Sequence, residues 1–311
     1  MQNEREVLAS HDDEIDLREL FSVLWAGKKV IVAITGLFAA AAVVYALSIA
    51  NEYKASIVIA PAQQEGGGLS GALGQLGGLA SLAGVSLGGG GGSEAAVAQE
   101  IMQSWGFVEQ FIVNNELEVE VFAAEGWNKT SNVLTIDSDL YDKDSNKWLI
   151  DEDGQLRAPT SWQLYQAFSK RLSVSEDKKS GLTSVSIEYF SPIVAKNWVD
   201  LYVAAINEHM RQRKLSQVNS NIEYLQAQIE KTSIAEMREV FYQIIEEQVK
   251  NKMLAEASPE YAFVTVSPSM VPEEKSKPKR ALMCILGTLL GGMLSVLYVL
   301  VRHYASNKKD D

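Results

Sequence analysis

Cysteine is almost missing from this chain. Of 311 residues only Cys284 carries a thiol, which excludes an intrachain disulfide and any metal site built from a cysteine cluster. Histidine is nearly as scarce. His11, His209 and His303 stand far apart and leave little for a histidine metal site or a catalytic triad. Phosphate-loop, Gly-x-Ser-x-Gly and His-Glu-x-x-His patterns are all lacking. Gly27-Lys28-Lys29 has neither the upstream glycine nor the hydroxyl residue of a phosphate loop. Asp137, Asp139, Asp142 and Asp144 lack the glycine and closing glutamate of a calcium loop, so they read as a solvated acidic turn. Glu246-Glu247 has no pocket to raise its pKa for acid–base work, and Asn128-Lys-Thr130 reads as a chance sequon. We therefore expect no catalytic residue, no cofactor and no metal. Positive charge is short too: 28 bases against 40 acids leave a net charge of −12, which disfavours nucleic acid as a partner.

Long apolar runs, in contrast, are present, and there are two. Val30–Ala50 and Ala281–Val301 are each 21 residues without a charge. As helices each reaches about 31 Å, the thickness of a bilayer's hydrocarbon core. Lys28 and Lys29 precede the first, while Lys279, Arg280 and Arg302 bracket the second. The first run exceeds a signal-peptide core and follows seven acids, so it reads as an uncleaved anchor. Two spans put both chain ends on one side. Flanking bases are nearly balanced and do not say which side, and long loops translocate regardless of charge. The expected plan is a tail 1–29, a span 30–50, a central domain 51–280, a span 281–301 and a tail 302–311.

Within the tail, Asp16 and Glu19 form a capping-box pattern. Leu17, Leu20, Phe21, Leu24 and Trp25 then share one helical face, as in a helix lying in the membrane interface. Residues 53–60 read as a strand. Gly66–Gly92 holds 13 of the 22 glycines, interleaved with leucines, and reads as a loop. Ala95–Leu117 reads as helix, Ser131–Ile150 as an acidic mixed stretch, 151–154 as a turn, 161–172 as a short amphipathic helix, and 182–189 as a strand.

From Ile193 to Ser258 there is neither proline nor glycine over 66 residues. One helix of that length would reach about 99 Å. Val218, Ile222, Leu225 and Ile229 step by 4, 3, 4, and Met237, Val240 and Ile244 by 3, 4, an interrupted heptad seam. Such a helix either folds back on itself or packs on other chains, and we expect the line from Val218 to Ile229 to be a seam between subunits. A strand at 261–266 follows, then a connector extended by Pro268, Pro272 and Pro278. In the second span Gly287 and Gly291, with Gly292 beside them, make a small-residue face. Its expected partner is the first span, through Gly36 and the alanines 39–42. The fold class expected is an α/β membrane protein: two transmembrane helices flank an α/β base that bears a long projecting helical arm.

The ordered set of these features resembles one known family. Ile15-Asp-Leu-Arg-Glu-Leu20 with Leu24-Trp25 and Lys28, the long helix, the segment Leu76–Gly84, and Ser276-Lys-Pro-Lys-Arg280 before a glycine-bearing span are similar to the Wzz-type O-antigen chain-length determinants, the polysaccharide co-polymerases. The resemblance implies a bacterial inner-membrane protein with a periplasmic domain. It implies a homo-oligomeric ring of about eight subunits that acts with an O-antigen polymerase on a lipid-linked polysaccharide, and no catalysis. A sister class carries a tyrosine kinase after the second span; Arg302–Asp311 holds no phosphate loop, which sets this chain apart from that class. A two-span membrane sensor and a periplasmic adaptor are the alternatives. Ten residues after the second span are too few for a sensor's signalling domain, and the second span itself argues against an adaptor.

Overall fold

The computed structural model describes residues 17–62 and 90–307. In chain order these form α1 (Leu17–Ala26), α2 (Lys28–Ser48), β1 (Glu52–Pro61), α3 (Gly90–Gln103), α4 (Trp105–Asn114) and α5 (Glu118–Phe122). Then come β2 (Ala124–Asn128), β3 (Val133–Ile136), β4 (Tyr141–Asp142), β5 (Lys147–Trp148), α6 (Ser161–Ser169), β6 (Leu172–Asp177) and β7 (Leu182–Tyr189). The chain closes with α7 (Pro192–Lys231), α8 (Ala235–Ala257), β8 (Phe263–Ser267), β9 (Lys275–Lys277) and α9 (Arg280–Asn307). Two compact units result: one holds the residues up to Ala50 and from Lys277 onward, the other holds Asn51–Ser276. The glycine-rich stretch lies outside the described residues up to position 89, as does the start of the expected cap at Asp16.

The first unit is a bundle of α1, α2 and α9. Helices α2 and α9 are long and apolar enough to cross a membrane, and few of their residues are buried inside the chain. That exposure is what lipid-facing helices require, since apolar side chains there have nothing to gain from a protein interior.

In the second unit, β1 is the centre of the sheet, whose order is β6-β7-β1-β8 with β9 also alongside β1. Strands β1 and β7 pair antiparallel from Tyr53–Tyr189 to Ile59–Thr183. Strand period fixes which side chains face inward: Ala55, Ile57 and Ile59 on β1, and Val185, Ile187 and Tyr189 on β7, are all buried. The first half of α7 covers this face. Ser191 opens it, its Oγ accepting from the Val194 N–H at 3.5 Å, and Pro192 takes the first turn where no N–H is needed. Ala195, Trp198, Val199, Tyr202 and Ile206 are buried between helix and sheet.

Around Tyr202 stand Phe107, Phe111 and Phe168, with ring centroids 5.3, 4.8 and 5.5 Å away. Fully burying such a side chain is worth about 1.5–3 kcal/mol, provided its polar tip is satisfied. Tyr202 donates to the Met102 carbonyl, and Tyr189 to the Glu120 carbonyl at 2.7 Å. Buried Asn207 ties α7 to β8: its amide donates to the Phe263 carbonyl at 2.9 Å, while its oxygen accepts from the Ala262 and Phe263 N–H groups at 2.9 and 2.8 Å.

Three sequence expectations need correction. The helix expected over 95–117 is two helices, because Ser104 starts a new one, its Oγ accepting from the Phe107 N–H at 3.4 Å. The helix expected over 193–258 is also two. Thr232 and Ile234 are extended, with ψ of 123° and 117°, and α8 packs back on α7. Packed helices joined by so short a link are antiparallel, so the long arm is a helical hairpin. Finally, the acidic stretch 131–150 contains β3, which pairs with the preceding β2, and the hairpin β4–β5. Its aspartates shape turns: Asp137 Oδ1 accepts from the Asp139 N–H at 2.8 Å and Asp142 Oδ1 from the Asp144 N–H at 2.9 Å.

Candidate functional site: helix pair and helical hairpin

The apolar helices meet along one stripe of α9 with a four-residue step, Gly287, Gly291, Ser295 and Val299. A Cβ added to Gly287 would lie 2.5 Å from the Ala42 Cβ. One added to Gly291 would lie 2.5 Å from the Phe38 Cβ and 2.9 Å from its Cγ. One turn further, Ser295 is fully buried and its hydroxyl lies 3.3 Å from that of Thr35. Further still, a Cβ on Gly27 would lie 2.5 Å from a Val299 methyl, so the break between α1 and α2 falls where a side chain has no room. At the other end Arg280 donates to the Ala46 and Ile49 carbonyls at 2.9 and 3.4 Å. It thereby caps the free carbonyls of α2 with a charge of the favourable sign.

Not every glycine expected here takes part. Gly292 would place its Cβ 4.0 Å from Thr35 Oγ1, and Gly36 has no atom within 4 Å of that position. A helix turns about 100° per residue, so with Thr35 on the stripe, Gly36 points elsewhere. Sequence reading missed Thr35, Ser295 and Arg280. The four-residue step from Gly291 to Ser295 is the signal that could have found Ser295.

On α1, Phe21 and Trp25 are exposed. Their rings stack at 6.2 Å, and the Lys28 ammonium stands 4.3 Å over the Trp25 ring. An aromatic pair closed by a cation suits a membrane surface.

The helical hairpin gives the line from Val218 to Ile229 partial cover within the chain. Val218 is buried and Ile222, Leu225 and Ile229 are half-buried within the single chain, because α8 packs along α7. On α8 a matching line, Phe241, Ile245, Gln248, Lys252 and Ala255, is half-buried or buried. The line expected as a seam between subunits is therefore partly covered by α8 of the same chain. Met237, Val240 and Ile244 are not: they are 45%, 52% and 38% exposed. Pro268 is exposed, while Pro272 and Pro278 are half-buried.

Charged groups near the hairpin's base are mostly tied locally. Glu208 accepts from Gln212 and Arg211, and these bonds hold its carboxyl below the usual range. Burial, then the Arg213 charge, lowers the pKa of His209, whose ring lies edge-on to Phe107 at 5.4 Å. The unfolded chain takes up this proton near pH 6.5 and the folded one resists it, so stability is full above that pH and is lost as pH falls through it. Thermal unfolding of the detergent-solubilised chain should shift down between about pH 7.5 and 5.5, and His209→Phe should flatten that part of the profile. An unaltered profile in the variant would rule out His209 as its source.

Burial also raises the pKa of Glu120, more than its bond from Trp198 lowers it. Among the described carboxylates it is the one with a raised pKa, a feature that acid–base sites share. No group of three metal-ligating residues occurs among the described residues.

Comparison with known families accords with this arrangement. The model "Wzz: Chain length determinant protein" matches residues 13–115, and the model "GNVR: G-rich domain on putative tyrosine kinase" matches 233–304. No curated protein matches the chain. Among solved structures, a full-length bacterial polysaccharide co-polymerase is 16% identical, with 95% of this chain and 99% of that one covered and a TM-score of 0.37. A fragment of the polysaccharide co-polymerase WzzB from Salmonella Typhimurium is 11% identical, with 73% and 100% covered and a TM-score of 0.30. Scores this low mark a partial likeness, and the assignment rests on the two sequence models. Residues 13–115 thus resemble a Wzz chain length determinant and residues 233–304 a G-rich GNVR domain, with an apolar helix inside each matched stretch.

Proposed function

We propose that this chain sets the number of repeat units in a lipid-linked surface polysaccharide, lipopolysaccharide O-antigen in the finer reading, without catalysing a step itself. The observation that supports it best is the family match at both ends, around two helices apolar enough to cross a membrane. In this reading the chain resides in a bacterial inner membrane, with Asn51–Arg280 in the periplasm and both ends in the cytoplasm. It works beside an O-antigen polymerase as a closed ring of about eight copies.

Contact between copies falls, in this proposal, to the outer face of α8. Met237, Val240 and Ile244 form an exposed apolar line that another protein surface would cover. The glycine stripe of α9 holds the two spans of one subunit together.

A deletion strain tests the function. Its surface polysaccharide should lose its preferred length while polymer is still made, and a plasmid copy of the gene should restore the preference. An unchanged length distribution would refute the proposal. Orientation is tested separately, in a chain whose Cys284 is replaced by serine. In intact spheroplasts an impermeant thiol reagent should label Lys178→Cys and spare Arg302→Cys; the opposite pattern would invert the topology.

A further inference from the structure

One cavity is unexplained by assembly. It lies in the second unit, has a volume of about 490 Å³ and is framed by α4, α5, the β4–β5 hairpin and the start of α6. That volume is in the range of small-ligand sites, about 300–1,000 Å³. Two aromatic rings line it, Tyr141 and Trp148, which meet edge-to-face across the β4–β5 pair at 5.2 Å. Trp148 is braced on a second side by Phe122 at 6.3 Å, so its indole is held in place before any ligand arrives. Polar groups surround the rings: Glu109, Glu118, Asn146 and Ser161. Ser161 is itself fixed, its oxygen accepting from the Trp105 indole N–H at 2.8 Å. No cationic side chain lines the cavity among the described residues.

We propose that this cavity binds a short stretch of a neutral polysaccharide, two or three sugar rings of a growing chain. Fixed aromatic rings offer flat apolar surfaces to the C–H faces of pyranose rings. Two carboxylates, an amide and a hydroxyl supply acceptors and donors for sugar hydroxyls, the usual division of labour in a small-ligand pocket. Two acids without a cation reject phosphate, uronate and nucleic-acid chains. Five of the six named residues fall between the two stretches matched by the family models, 13–115 and 233–304, so the site belongs to this chain's own central segment and was not what identified the family. The inference rests on the polysaccharide function proposed above, and it goes further by placing a contact with the polymer on the regulator.

The test uses the full chain in nanodiscs with three neutral hexasaccharides, of glucose, mannose and N-acetylglucosamine, and with hexagalacturonate as the anionic counterpart. Calorimetry should find at least one neutral sugar binding with Kd on the order of 1 mM and hexagalacturonate at least tenfold weaker. Glu118→Gln and Asn146→Ala should each weaken the neutral sugar several-fold, and Trp148→Ala at least tenfold, with thermal unfolding of Glu118→Gln unchanged. No binding of any neutral sugar, a preference for hexagalacturonate, or saturable binding of hexalysine with no sugar binding would each overturn the assignment. The deletion phenotype distinguishes this failure from failure of the proposed function: a lost length preference in the deletion strain together with no sugar binding would sink the pocket and leave the function standing.

Discussion

Replacing Gly291 by leucine should pull apart the two apolar helices, whereas the same change at Gly36 should do nothing measurable. Lipid tails are as apolar as leucine, so helices in a membrane are held by close contact and by polar bonds, not by hydrophobic exclusion. At Gly291 a single added carbon already meets the Phe38 Cβ at 2.5 Å and its ring at 2.9 Å. Phe38 sits on the neighbouring backbone and cannot move aside as a flexible chain end would. Overpacking of this kind costs about 1–3 kcal/mol, and the separation also strains the Thr35–Ser295 pair one turn away. Gly36 has open space instead. Native mass spectrometry should therefore show fewer complete oligomers for Gly291→Leu, and the polysaccharide ladder should lose its preferred length. Equal behaviour of the two variants would mean that the stripe does not matter.

Placing aspartate at Val240 should give the second large effect, a broadened or shifted length distribution with polymer still produced. Val240 is 52% exposed in the single chain, so the subunit itself should unfold at its usual temperature. A charge buried against an apolar partner surface costs several kcal/mol, which is enough to split a contact between copies. Leu225→Asp offers a contrast. Leu225 is half-buried where α7 meets α8, so that variant should lower the subunit's own melting temperature before it affects assembly. A Val240→Asp chain with an unaltered oligomer and an unaltered ladder would remove α8 from the interface.

Several elements were readable from sequence because they repeat a physical period. The apolar run 30–50 lies in α2 except for its last two residues, the run 281–301 lies within α9, and the alternation at 182–189 coincides with β7. Other parts resisted for stated reasons. Strands β4 and β5 are two residues each, too short for alternation to show, so the hairpin that carries Tyr141 and Trp148 was invisible. Seam residues such as Leu225 were found by their 4, 3, 4 steps, yet a heptad line says only that a helix face is covered, not by which chain. The break at Thr232–Ile234, which lets α8 pack back along α7, has no glycine or proline to announce it. Gly287 and Gly291 were legible by their spacing, while Gly36 was not excluded until the angular position of Thr35 was known.

The central claim, length control without catalysis, is tested most directly by reconstitution. A purified polymerase is supplied with lipid-linked repeat units in vesicles, with and without this chain, and both total repeat-unit consumption and product lengths are measured. Consumption should be equal in the two reactions, with a narrow preferred length only when the chain is present. Polymerisation that requires the chain would make it part of the catalyst, and product lengths that ignore it would rule out length control.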